Sequence, residues 1–343
     1  MKATMPRSLA IATSVVVMLL AGATPVFADS ATPTNYRSEV TGVEGSGISE
    51  VEIIGGDAFV RLVATPGVTI ELLGYEGEPY IRFEQDGLVR VNRRSPATYL
   101  NDDRYAAVVL PPDADASAPP EWETVSVNGT YSWHDHRTHW MSPTPPAVVL
   151  DSNGAETVPV FEWTLPLRVD NEPGRIVGVL SWIPSTNAMP WFTIVVLAFL
   201  AFGLAAFRLR SFAPAILLLG LAAAATMAGV AATASQVAEG RTFGVDLIGP
   251  IVVLAVAVFA LVEGRRSDRS AARIVFIGSI GLTIWAVLRI DVLTHPILPT
   301  VLPDGVDRMV TAVGLGGAIG LISGLSTRIV IENRNLRTGS DQR

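Results

Sequence analysis

The chain has 343 residues, 49% of them hydrophobic, a formal net charge of -7 and no cysteine. The length admits more than one folding unit, and the apolar content with a mean hydropathy of +0.41 fits a membrane protein better than a soluble one. The missing cysteines exclude disulfides, thiolate nucleophiles, zinc fingers and iron–sulfur clusters.

Residues 1–28 carry Lys2 and Arg7, then an apolar run from Leu9 to Leu20, then Val26-Phe27-Ala28 before Asp29. That order of charge, grease and small residues is a secretory signal with cleavage expected after Ala28. Residues 29–188 then form a polar head with 23 acidic residues and 10 arginines, a net charge of -13. Such a head repels nucleic acid and anionic headgroups and attracts cations.

Ala31 to Gly47 reads as a polar lead-in. From Val51 the texture becomes short runs of period-two alternation separated by turn residues: VEIIGGD, AFVRLVA, VTIELLG, YIRFEQ and LVRVNRR. Asp86-Gly87 between the last two accepts the positive φ angles of a tight hairpin. Ala106 to Leu110 could add a strand before the Pro/Ala/Asp stretch from Pro111 to Pro120, which reads as a linker or long loop. A second set of strands is expected in ETVSVNGTYSW, PAVVLDS, TVPVFEWTLPLRVD and RIVGVLSWIP, with turns at Asn128-Gly129 and Asn171 to Gly174. No helical periodicity interrupts them, so the expected fold is all-β and sandwich-like, as one domain or as two lobes over 38–110 and 121–184.

Three of the four histidines fall in Tyr131-Ser-Trp-His-Asp-His-Arg-Thr-His-Trp-Met141. On a strand, His134 and His136 would share a face about 7 Å apart, near enough for one metal ion. His139 has the opposite parity and joins them only if the chain turns. Met141 would add a soft thioether suited to cuprous copper, and Asp135 would fix a histidine tautomer from outside the ligand shell. The competing reading makes the same string a polar network packed between Trp133 and Trp140. Ser132 and Ser142 lack a nucleophile-elbow frame and no HExxH is present, so no catalytic residue is expected and the protein is not read as an enzyme.

The strings GGDAFVRL, LGYEGEPYIRF, NRRSPATYLNDDRY, YSWHDHRTHWM and EWTLPLRVDNEPGRIVGVLSWIP resemble those of uncharacterised multi-pass membrane proteins of high-GC Gram-positive bacteria. The resemblance runs through the head and loosely into the second half. It implies an exported β-rich domain on a membrane anchor and carries no activity with it.

Past Ala188, five apolar stretches are each long enough to cross a bilayer: 189–207, 212–234, 247–262, 274–294 and 309–325, with a tail over 328–343. With the head outside, the alternate loops and the tail hold ten of the thirteen arginines beyond Ala188. The positive-inside rule therefore agrees with the signal sequence: head extracytoplasmic, tail cytoplasmic. Arg289 and Asp291 near the outer end of the fourth span form an expected intramembrane charge pair, with His295 just beyond as a further metal-ligand candidate. Gly316, Gly320 and Gly324 make a flat stripe for helix packing, within the chain or with a second copy as a homo-oligomer.

These features support three functions. The acidic head binds an envelope partner or ligand outside the cell, or it handles a transition metal, copper before zinc, through His134, His136, His139, Met141 and His295, or the helices transport a solute. The spans carry few polar residues to line a pathway, which makes transport the weakest reading.

Overall fold

The structure, a computed structural model, describes residues 31–209, 212–235 and 245–340. The expected signal segment over 1–28 and the last three residues of the tail lie outside the described residues, as do Arg210 and most of the loop between the second and third spans.

The head contains ten strands and two short helices. They are β1 (Tyr36–Glu44), β2 (Ile48–Ile54), β3 (Phe59–Ala64), β4 (Ile70–Leu73), β5 (Pro79–Phe83), β6 (Val89–Asn92), α1 (Pro96–Leu100), β7 (Trp122–Ser126), β8 (Thr130–Trp133), α2 (Ala147–Asp151), β9 (Val158–Val169) and β10 (Glu172–Trp182). Seven strands form one antiparallel sheet in the order β1-β10-β9-β4-β5-β6-β7, and β2-β3-β8 form a second. Alternation along each strand decides the faces. In β3, Val60, Leu62 and Ala64 are buried while Arg61 turns outward to Glu52 at 2.7 Å. In β9, Leu165, Leu167 and Val169 face inward the same way. The two inner faces meet in one core that joins Val60, Leu62 and Trp133 of the smaller sheet to Ile70, Ile81, Phe83, Leu165 and Ile176 of the larger. Each such side chain contributes about 1.5–3 kcal/mol on burial. The head is β-rich, with two sheets sharing one core.

Several sequence expectations change. The two strand sets do not form separate lobes: β1 pairs with β10, β4 with β9 and β3 with β8, so the halves interleave in both sheets. The lead-in is β1, an edge strand whose exposed residues hide its pairing from a hydropathy reading. PAVVLDS is not a strand; behind Pro146 it closes into the five-residue α2. Ala106 to Leu110 forms no strand and Ala106 sits at φ 55°. The Asp86-Gly87 hairpin forms as expected, with Gly87 at φ 88°. Asn128-Gly129 instead carries the chain from β7 in one sheet to β8 in the other.

Among the described residues, five longer helices follow: α3 (Met189–Arg208), α4 (Ala213–Ser235), α5 (Val245–Gly264), α6 (Asp268–Leu288) and α7 (Asp304–Ser340). All five are long and apolar enough to cross a membrane. Two helices, α6 and α7, differ most from the hydropathy reading. α6 begins six residues early because the Ser267 side chain caps it, accepting from the Ser270 amide, and the arginines of this first stretch are helical despite their charge. It ends at Leu288 and gives way to a 3-10 turn over Ile290–Leu293. α7 starts at Asp304 and continues through the expected tail to Ser340.

The glycine stripe works inside the chain. A Cβ on Gly320 would meet the Phe199 carbonyl oxygen at 2.5 Å and the Gly203 amide at 2.9 Å, and Gly316 and Gly324 lie equally close to the backbone of α3. The fully buried residues of α3 are the small Ala198 and Ala206, and Val195 and Phe202 pack against the helix core beside them.

Head and bundle meet through backbone. Thr34 and Ile297 exchange both hydrogen bonds at 3.0 and 3.2 Å, and the Thr186 amide donates to the Thr294 carbonyl at 2.9 Å. The β2–β3 turn rests on this junction: Gly56, at φ 82°, would place a Cβ 2.8 Å from Thr34 and 2.9 Å from Ile297. Gly56→Ala is therefore expected to loosen the junction by about 1–3 kcal/mol, read as faster proteolysis between residues 183 and 188.

Candidate metal centre

The register fixes which end of the head meets the bundle. β10 ends there at Trp182, paired with Tyr36 and Val158, and β3 begins there at Phe59. β8 pairs Trp133 with Val60, so the chain leaves the smaller sheet at the same end.

Beyond Trp133 the path of the chain is shaped by Asp135. Its carboxylate is fully buried and accepts from the Trp133 indole at 3.1 Å, from the Arg137 amide at 3.2 Å and from Arg137 Nε and Nη2 at 2.8 Å each. Burial alone would raise this carboxyl, but the charge and hydrogen bonds of Arg137 outweigh it and hold it below the usual carboxylate range. The result is a tight 3-10 turn over His136–Thr138. It corrects the strand geometry expected for His134 and His136 and supplies the turn that His139 requires.

One ring nitrogen from each of His134, His136 and His139 lies within 4.8 Å of the other two. The ring centroids stand 4.3 Å apart for His134 and His139, 5.4 Å for His134 and His136, and 5.3 Å for His136 and His139. Each ring also faces a backbone carbonyl: His134 Nδ1 the Ala58 oxygen at 2.7 Å, His136 Nε2 the Asp103 oxygen at 2.8 Å, and His139 Nδ1 the Trp140 oxygen at 3.1 Å. A carbonyl only accepts, so those nitrogens carry the protons. The lone pairs are left on His134 Nε2, His136 Nδ1 and His139 Nε2. Carbonyls thus fix the tautomers, the role expected of Asp135.

His139 is 1% exposed and its Nε2 is buried with no hydrogen-bond partner. A buried imidazole nitrogen left in this way is costly in an ordinary core. Burial first, then the charges of His134 and Arg104, push the ring down to about 2, so it is neutral at any physiological pH. Three imidazoles with fixed tautomers, one nitrogen of each within 4.8 Å of the others, fit a divalent transition metal. A closed centre with bonds of about 2.0–2.1 Å holds its nitrogens roughly 3.4 Å apart, so the ion would draw the rings inward.

Two more ligands are expected from the sequence. Met141 is exposed. His295 lies on the bundle, its Nδ1 3.0 Å from the Asp291 carbonyl and 3.1 Å from the Thr294 hydroxyl.

No family model, curated protein or solved structure matches the chain.

The expected charge pair is corrected as well. Arg289 is buried at the end of α6, but its Nη2 donates to both oxygens of Asp307 at 2.8 and 2.9 Å and its Nη1 to Asp246 at 3.1 Å. Asp291 is exposed and takes part only through its backbone. The triad ties α5, α6 and α7 together. Sequence reasoning missed Asp246 and Asp307 because neither lies near Arg289 in the chain. It also missed the carbonyls of Ala58 and Asp103, which leave no mark in side-chain chemistry.

Proposed function

We propose that this is an integral membrane protein whose exported β head binds one divalent transition-metal ion through His134, His136 and His139. The observation that carries this is the His139 ring, whose Nε2 is buried without a hydrogen-bond partner and which brings one nitrogen within 4.8 Å of a nitrogen of His134 and of His136. The three clustered donors are imidazole nitrogens, which suit zinc or cupric copper. The exported placement is supported by the signal-like residues 1–28 and by the arginine-rich alternate loops. The acidity of the head favours the approach of a cation. Kinship with the exported-head membrane proteins of high-GC Gram-positive bacteria belongs to the same proposal.

The test is calorimetric titration of the full-length protein in detergent with zinc and cupric salts. One ion per chain is expected for the wild type and for His295→Ala, with binding lost in His134→Ala and His139→Ala. Absence of binding, or binding unchanged in His139→Ala, would sink the metal reading.

A further inference from the structure

Nine large apolar side chains stand exposed on the described head, and five of them, Tyr105, Val109, Leu110, Val148 and Leu150, lie on segments tied to the end that meets the bundle. The ties are specific. Arg104 donates to Asp57 at 2.6 Å, one residue from the Gly56 turn that rests against Ile297, and the Asp103 carbonyl holds His136. This anchors Tyr105 to Leu110 beside the junction. α2, which bears Val148 and Leu150, leads into Gly154, whose carbonyl accepts from the Trp182 indole at 3.4 Å at the last residue of β10. The opposite end is sparser. Val127, 73% exposed, marks it, next to Asn128-Gly129 where the Gly129 amide meets the Gly87 carbonyl of the β5–β6 turn.

Val109 is 96% exposed in a segment with no secondary structure, on a head whose net charge forbids attraction to anionic surfaces. Exposed apolar side chains gathered on one rim mark a contact surface. That rim is continuous with the junction to helices long and apolar enough to span a bilayer. We infer that the rim formed by Tyr105–Leu110 and α2 docks onto the outer leaflet of the bilayer that holds those helices. Val109, Leu110, Val148 and Leu150 enter the boundary of the acyl region, and Tyr105 sits at headgroup level, where its ring and hydroxyl are both satisfied. The contact is apolar rather than electrostatic, and it holds the metal centre close above the lipid.

The inference rests on the membrane reading of the helices, and the experiment separates the two. The chain has no cysteine, so single-cysteine variants can be labelled uniquely with an environment-sensitive fluorophore in the full-length protein reconstituted in phosphatidylcholine nanodiscs. V109C and L150C are expected to be quenched several-fold more by an acyl-chain nitroxide than V127C, and several-fold less by aqueous iodide. L200C, on the exposed face of α3, reports the helices themselves. If L200C is not quenched from the lipid, the membrane reading fails. If L200C is quenched while V109C and L150C behave like V127C, or are shielded from both quenchers as a protein cover would shield them, the docking inference is overturned.

Discussion

Asp135→Ala is expected to destabilise the head by about 3–5 kcal/mol and to weaken metal binding roughly 10- to 100-fold. The stability loss comes from the groups left behind. Arg137 is largely buried, and two of its nitrogens and its amide lose their acceptor, as does the Trp133 indole. Its guanidinium keeps the Leu73 carbonyl at 3.0 Å, which does not neutralise a charge. The affinity loss comes from geometry, because Asp135 closes the turn that brings His139 round to His134. Asp135→Asn separates the effects: the amide can still accept from Arg137 but carries no charge, so stability should fall while ion affinity falls less. Thermal unfolding and zinc titration of the two variants give both numbers. An Asp135→Ala protein that melts like wild type and binds zinc equally well would show that Asp135 neither holds the turn nor shapes the centre. The sign with pH is set by the lowered carboxyl. The contribution is present above the unfolded value of about 3.9 and is lost as pH falls through the lower folded value.

How legible this was in the sequence depended on whether a feature is written in local pattern. Alternation in AFVRLVA and YIRFEQ disclosed β3 and β5, and the Asp86-Gly87 turn disclosed its hairpin, because period two and positive φ are properties of adjacent residues. Five apolar stretches disclosed five helices for the same reason. The histidine string announced a candidate site but not its form, since strand parity placed His139 on the wrong face. What reversed this was a carboxylate inside the string accepting from the backbone amide of Arg137, two residues on, which caps a turn rather than a strand. Boundaries failed where charge and hydropathy disagree, as in the arginine-bearing first turns of α6. Pairings between distant residues, Arg289 with Asp307 above all, were beyond reach: the nearer Asp291 offered a partner in sequence that the 3-10 turn points toward solvent.

That last pairing yields a second large effect. Asp307→Ala is expected to cost the bundle about 3 kcal/mol or more, whereas Asp291→Ala should stay within about 0.5 kcal/mol of wild type. Arg289 and Asp307 are 7% and 1% exposed, so removing the carboxylate leaves a guanidinium in a low-dielectric setting with only one carboxylate, Asp246, and the face of the Trp285 ring 5.4 Å away. The alternative, that Arg289 simply reaches up to water near the helix end, predicts little loss, because snorkelling would satisfy the charge without Asp307. Thermal unfolding in detergent distinguishes them. A further comparison isolates the pair from its burial: Arg289→Met with Asp307→Leu removes both charges and keeps volume, and should recover most of the stability lost in Asp307→Ala, since a buried ion pair costs nearly as much to desolvate as it returns. Failure of the double variant to recover, with Asp246 still in place, would mean that the guanidinium is needed for its second carboxylate, and that the tie from α6 to α5 carries more of the bundle than the tie to α7.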